Sequence, residues 1–148
     1  LRPYPFSESV VGFPMFSVIE RGTGKWVGRL GPWQPDGWPG TEVGWGVAPE
    51  FAGRGYAYEG SVAAMDYAVD VLGWTTIIHT INPGNLGSIK LAQRLGSYNM
   101  GPAQLPAPYL DERVDAWGQT ADEWRARRTA RGPSPRPAAA RWLSADDG

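Results

Sequence analysis

The sequence predicts a mixed α/β layer fold, and three observations carry that expectation. Two short β-prone runs, FSVIE at 16–20 and WVGRL at 26–30, flank a glycine-bearing RGTGK segment, the pattern of a hairpin. Two later segments, 56–72 and 86–95, carry apolar residues at helical spacing. Between them, TTIIHTI at 75–81 is rich in β-branched residues and reads as a buried strand. The order is hairpin, strand, helix, strand, helix.

In the hairpin, Gly22 and Gly24 supply the positive φ that a tight turn requires. EVGWGV at 42–47 is the next strand, with Val43, Trp45 and Val47 on one face and Glu42, Gly44 and Gly46 on the other. Two glycines on one face mark a close approach by another backbone or a ligand. The helix over 56–72 has a wide stripe of Ala57, Val62, Ala63, Met65, Ala68, Val69 and Leu72, with Gly73 placed to cap its end. The helix over 86–95 turns Ile89, Leu91, Ala92 and Leu95 to the core and stops at Gly96. A late strand is expected over 114–117 and a short helical end over 121–128.

Composition narrows the function classes. The 148 residues hold 14 basic and 15 acidic side chains, a net charge of −1, whereas a bulk nucleic-acid binder needs a strongly basic domain. No cysteine is present and there is one histidine, His79. Disulfides, thiolate metal sites, cysteine nucleophiles and histidine-cluster metal sites are therefore excluded. No apolar run approaches the roughly 18 residues of a membrane span. The 20 glycines and 14 prolines concentrate in GPWQPDGWPG at 31–40, a connecting loop, and in GPSPRP at 132–137. The expected organisation is one domain over 1–129 and a loosely ordered Arg/Pro/Ala-rich tail over 130–148. The chain opens on Leu1 rather than methionine, which suggests that the front of the protein is absent.

The sharpest local feature is PEFAGRGYA at 49–57, between a strand and a helix. Gly53 and Gly55 let backbone amides converge, and the following helix start adds unpaired N–H groups and a positive dipole end, together a phosphate cradle. A tight turn is the plainer reading of a lone GxG. A P-loop would need Gly-Lys-Ser/Thr, and Tyr56-Ala57 follow instead. A dinucleotide fingerprint would need a small residue where Tyr58 stands. The second feature is INPGNLGSIKLAQRLG at 81–96, where Asn82 ends a strand and Asn85 and Ser88 sit at a helix start, positions usual for helix caps.

Together the two segments resemble the GNAT acetyltransferase superfamily. Gly53 and Gly55 match its Q/R-x-x-G-x-G/A motif, with Glu50 a departure at the first position. The string EVGWGVAPEFAGRGYA, and Asn85-x-x-Ser88 followed by Leu95-Gly96, are similar to the Rim-type branch that modifies protein N-termini and related amines. The resemblance spans about 16–96, with a fainter match over 114–125. It implies a mostly antiparallel twisted sheet with two splayed parallel central strands and flanking helices. It also implies a cytoplasmic enzyme that uses acetyl-CoA as co-substrate, an amine as acceptor, and no metal.

The expected site follows from it. The pantetheine arm lies near Trp45, Val47 and Asn82, bonding backbone as an added strand does. The pyrophosphate rests on the amides of Gly53, Arg54, Gly55, Tyr56 and Ala57, with the Arg54 charge at the rim and Asn85 nearby. The Val47 N–H stabilises the oxyanion. Glu42 is the first candidate for general base, its plainer role being an exposed strand end. His79 is the alternative by pKa, its plainer role a hydrogen-bonded structural histidine. The family's tyrosine acid is matched by Ala92, so Ser88 is the candidate proton donor to the thiolate.

A complete member of the family begins with a strand and two helices, and the 15 residues before Phe16, broken by PYP and FP, cannot hold them. The resemblance thus implies an N-terminally truncated domain whose acceptor wall is missing, open or supplied by another chain. An open wall would favour association, and a homodimer is the partner this suggests. Two other classes compete: a non-catalytic acyl-CoA-binding domain, and a small-ligand module in which Trp33 and Trp38 stack on a sugar or methylated amine.

Overall fold

The computed structural model describes residues 16–131 and 140–143. Strands β1 (Phe16–Glu20), β2 (Trp26–Trp33) and β3 (Glu42–Val47) form an antiparallel meander. A short 3-10 turn, Pro49–Phe51, leads into helix α1 (Tyr56–Asp70). Strand β4 (Thr76–Ile81), helix α2 (Leu86–Leu95), strands β5 (Tyr98–Ala103) and β6 (Val114–Thr120), and helix α3 (Ala121–Arg131) follow. A final strand, β7 (Ala140–Leu143), returns to pair with β1. The sheet order is β5-β6-β4-β3-β2-β1-β7, and every neighbouring pair is antiparallel except β3–β4. A mostly antiparallel sheet with a central parallel pair is the expected architecture.

The core lies between the sheet and α1. Val62, Met65 and Val69 of α1 pack with Val27, Leu30 and Val43 of the meander and with Ile77, all at most 2% exposed. Trp124 of α3 joins this core, its Nε1 donating to Asp66 of α1. Gly96 ends α2 with φ 92°, and the Ser97 N–H donates to the Ala92 carbonyl across it, a left-handed cap. Among the described residues, no helix is long and apolar enough to cross a membrane.

Several boundaries differ from expectation. Strand β2 runs on to Trp33, into the segment expected to be loop, because Pro32 lies beyond the last β1 pair, Phe16↔Leu30. Its ring nitrogen faces that side, so no ladder bond is lost. Gly24 takes positive φ in the hairpin and Gly22 does not. Strands β5 and β7 were not expected. Four residues of the expected loose tail, Ala140–Leu143, are in the sheet, and α3 extends to Arg131. The rest of that tail, 132–139 and 144–148, and the proline-broken residues 1–15 lie outside the described residues.

Candidate active site

Strands β3 and β4 pair at a single register position, Glu42↔Ile78, where the Ile78 N–H donates to the Thr41 carbonyl at 3.0 Å. Beyond it they diverge. The Ala48 N–H donates to the Val27 carbonyl, and antiparallel alternation then turns the backbone groups of Val43, Trp45 and Val47 away from β2, toward the divergence. The gap opens into a cleft of about 760 Å³ that runs from Glu42 to Tyr56 and Ala57. The backbone of Trp45 and Val47, facing the open cleft, is a place where an extended ligand can add as a strand.

Glu42 was expected at an exposed strand end or as a base. It is 1% exposed, which removes the exposed reading. Its Oε1 accepts from Trp38 Nε1 at 2.7 Å and Thr80 Oγ1 at 2.8 Å, and its Oε2 accepts from the Thr80 N–H at 2.7 Å. Burial pushes its carboxyl up to about 7, against the pull of these donors. A carboxylate that titrates near neutrality at a cleft wall can accept a proton from a bound group.

Gly53 and Gly55 both adopt positive φ, 79° and 83°, and a Cβ at either would meet open space. Glycine is therefore needed for the backbone conformation. Gly53, Gly55, Tyr56 and Ala57 all line the cleft, and Arg54 does not. The Arg54 guanidinium turns to Glu20 of β1, 3.6 Å away, and lies over the Phe51 ring. The expected rim charge is thus directed elsewhere, because Glu20 already accepts from the Tyr56 hydroxyl and draws the arginine to it.

On α2, Asn85 caps the helix, its Oδ1 accepting from the Ser88 N–H at 3.2 Å. The Asn82 Oδ1 accepts from the Gly84 N–H at 2.8 Å, an Asx-type turn. Both residues line the cleft, as does Ser88. The Ser88 hydroxyl oxygen accepts from Trp45 Nε1 at 3.2 Å, which leaves its proton available to donate.

His79 is fully enclosed. Its Nδ1 donates to the Val43 carbonyl at 2.8 Å, since a carbonyl only accepts, and its Nε2 accepts from Ser97 Oγ at 2.8 Å. Burial lowers its pKa to about 4, so the ring is neutral and both nitrogens are committed. The base role passes it by. Trp33 is 2% exposed and edge-on to Trp38, so it is core and offers no stacking face.

These two buried groups have opposite pH signatures. Glu42, raised from 4.5 to about 7, contributes stability that is complete below pH 4.5 and lost as pH rises through 7. His79, lowered from 6.5 to about 4, contributes stability that is complete above 6.5 and lost as pH falls through 4. Each amounts to roughly 3 kcal/mol, and between about pH 4.5 and 6.5 they cancel. Thermal melts across this window should show Glu42→Gln losing stability toward acid relative to wild type. His79→Asn should gain stability in the same direction. Parallel curves for the three proteins would refute the assignment.

The family described as Acetyltransferase (GNAT) domain matches residues 6–97. The chain belongs to the GNAT acetyltransferases. It is similar to the uncharacterized protein YkkB of Bacillus subtilis, 29% identical over 94 residues, which are 62% of this chain and 55% of YkkB. An acetyltransferase from Agrobacterium tumefaciens is 30% identical with a TM-score of 0.57, over 66% of this chain and 54% of that one. A GNAT-family acetyltransferase from Bacillus anthracis is 25% identical with a TM-score of 0.60, over 74% and 67% of the two chains. The chain spans about half the length of the first two.

Two basic residues of this GNAT cleft escaped the sequence reading. Lys90 and Arg94 of α2 both line it, and the Arg94 guanidinium stacks 3.8 Å from the centroid of the Tyr58 ring. Their i, i+4 spacing on a capped helix was a usable signal. Among the described residues, no group of three or more His, Cys, Asp or Glu could hold a metal ion.

Proposed function

We propose that this domain moves an acetyl group from acetyl-CoA to a primary amine, of a protein N-terminus or a small molecule, by direct attack. The observation that carries the proposal is the β3–β4 ladder that opens after one register position into a cleft ending on the Gly53–Gly55 loop. The residues present suit the co-substrate: backbone of Trp45 and Val47 turned to the cleft for its amide-bearing arm, and the left-handed glycine loop with the first turn of α1 for its pyrophosphate. Asn82 and Asn85 shape the wall where strand gives way to helix.

The amine nitrogen bonds to the acetyl carbonyl carbon, and the carbon–sulfur bond breaks as the tetrahedral intermediate collapses. An alkylammonium with pKa about 10 must first lose a proton; Glu42 accepts it, directly or through the Thr80 hydroxyl that donates to it. The Val47 N–H donates to the developing oxyanion, a contact of a kind worth about 3 kcal/mol in the barrier. Ser88, oriented by Trp45, donates its proton to the leaving thiolate and regains one as the new amide nitrogen sheds its second proton, directly or through water. Ser88→Ala should therefore lower kcat by about tenfold to a hundredfold with little change in acetyl-CoA affinity. Unchanged turnover would remove that role.

Charge at the cofactor rim is assigned to Lys90 and Arg94 rather than Arg54. Arg94→Ala should weaken acetyl-CoA binding by about tenfold, whereas Arg54→Ala, which breaks the pair with Glu20 and the contact over the Phe51 ring outside the cleft, should change it by less than about threefold. Titration calorimetry of the two variants checks this. The function itself is tested by calorimetry with acetyl-CoA followed by a panel of amines assayed for CoA release. No heat with acetyl-CoA would overturn the proposal, and binding without release on any amine would leave a non-catalytic acyl-CoA-binding domain.

A further inference from the structure

In a parallel ladder the hydrogen bonds recur at every second residue of each strand. After the Ile78 N–H to Thr41 carbonyl bond, the next bond from a β4 amide to a β3 carbonyl would run from the Thr80 N–H to the Val43 carbonyl. That rung is not made, and both of its groups are satisfied by side chains. The Thr80 N–H donates to Glu42 Oε2 at 2.7 Å, and the Val43 carbonyl accepts from His79 Nδ1 at 2.8 Å. The exchange is reciprocal: Glu42, next to Val43, replaces its carbonyl, and His79, next to Thr80, replaces its amide. Strand alternation brings the two side chains in from opposite faces of the sheet.

The imidazole is also held from behind. Ser97, just past α2, donates to its Nε2, and Gln119 of β6 donates both to Ser97 Oγ at 2.9 Å and to the Leu95 carbonyl at 3.0 Å. The Trp45 ring lies against it with centroids 4.7 Å apart. A ring so fixed cannot swing aside and let the ladder close.

We propose that His79 is a positioning residue that keeps the β3–β4 gap open for acetyl-CoA, its ring replacing the Thr80 amide against the Val43 carbonyl. The cofactor part of this rests on the acetyltransferase reading; the ladder part does not. Without a donor from His79, the buried Val43 carbonyl takes the amide that the register offers it, Thr80 N–H, which gives up Glu42 Oε2 in exchange. The strands then close by one rung, narrowing the slot at Trp45 and Val47.

Two conservative variants separate the ring's contacts. Asn at 79 places an amide donor where Nδ1 stands, and Gln places one where Nε2 stands. In the free protein, NMR coupling through the hydrogen bond between the Thr80 nitrogen and the Val43 carbonyl carbon should be absent in wild type and His79→Asn and present in His79→Gln. Acetyl-CoA affinity by calorimetry should stay within about threefold of wild type for Asn and fall about tenfold or more for Gln. At saturating acetyl-CoA, kcat of His79→Asn should follow the wild-type pH profile, since His79 moves no proton. Absence of the coupling in His79→Gln, or equal losses in both variants, overturns the proposal. If wild type binds no acetyl-CoA, the acetyltransferase reading fails, and the coupling pattern alone still decides what His79 does to the ladder.

Discussion

Glu42→Gln is expected to lower kcat by about 10²- to 10³-fold at pH 8, with acetyl-CoA affinity within about threefold of wild type. The size follows from position and protonation together. Glu42 is buried at the wall of the cleft, and its carboxyl is pushed up to about 7. On the proposed acetyltransferase reading, most of the wild-type protein at pH 8 thus holds a carboxylate basic enough to take the amine proton, whereas a free glutamate near 4.3 would be a far weaker base. Wild-type kcat should rise with pH through about 7 and then level, because the ionised form is the active one. In Glu42→Gln that limb disappears. The amide also cannot reproduce the three-donor environment of Trp38 Nε1, Thr80 Oγ1 and the Thr80 N–H, since one of its two polar atoms is itself a donor. Some loss of folded stability at neutral pH is expected for that reason. Measuring CoA release from pH 5.5 to 9 for both proteins checks the assignment. Retention of the limb near 7 in the variant would move the base elsewhere.

The parts of this site legible in the sequence are those that local backbone chemistry dictates. Gly53 and Gly55 signal a left-handed loop before a helix, Asn85 signals a cap and Gly96 a stop, and each stands where the pattern places it. Their conformations need no distant partner. Charge and protonation are another matter, because they are set across the fold. Arg54 reads as a cradle cation until β1 brings Glu20 beside it from 34 positions away. Glu42 reads as a strand end until Trp38 from the preceding loop and Thr80 from β4 enclose it. Strands β5 and β7 were missed for a third reason. YNMGPA has no apolar alternation, and its side chains are mostly exposed, so backbone pairing rather than side-chain burial holds β5; both strands sit at sheet edges. The ladder break between β3 and β4 was expected only from resemblance; no periodicity marks it, since it depends on which side chain reaches which carbonyl.

Trp124→Ala should cost about 3–5 kcal/mol of stability, the largest loss expected from a single truncation among the described residues. Trp124 is fully buried in the main core cluster although it comes from α3, a helix that the sequence marks only as a short polar end. Its ring belongs to the core that α1 packs on, and its Nε1 donates to Asp66 Oδ1 at 2.9 Å. Arg128 of the same helix donates to Asp66 at 2.7 Å and to both carboxylate oxygens of Asp70, so α3 is fastened to α1 by one buried ring and one forked cation. Burial decides which of the two matters more. The ring loses its whole apolar surface and leaves a cavity on truncation, whereas the arginine is partly solvated and its pairs are screened. Trp124→Phe, which keeps most of the ring and drops the N–H, should cost only about 1–2 kcal/mol, and Arg128→Ala a similar amount. For a domain of this size the Ala variant should melt roughly 10 °C or more below wild type. Because α1 also carries the Gly53–Gly55 loop at its N-terminus, a loosened α1 should weaken acetyl-CoA binding near the melt and not well below it. Calorimetric binding at 10 °C alongside thermal melts tests both halves, and a loss of less than about 1 kcal/mol would mean that α3 is an appendage rather than a wall of the core.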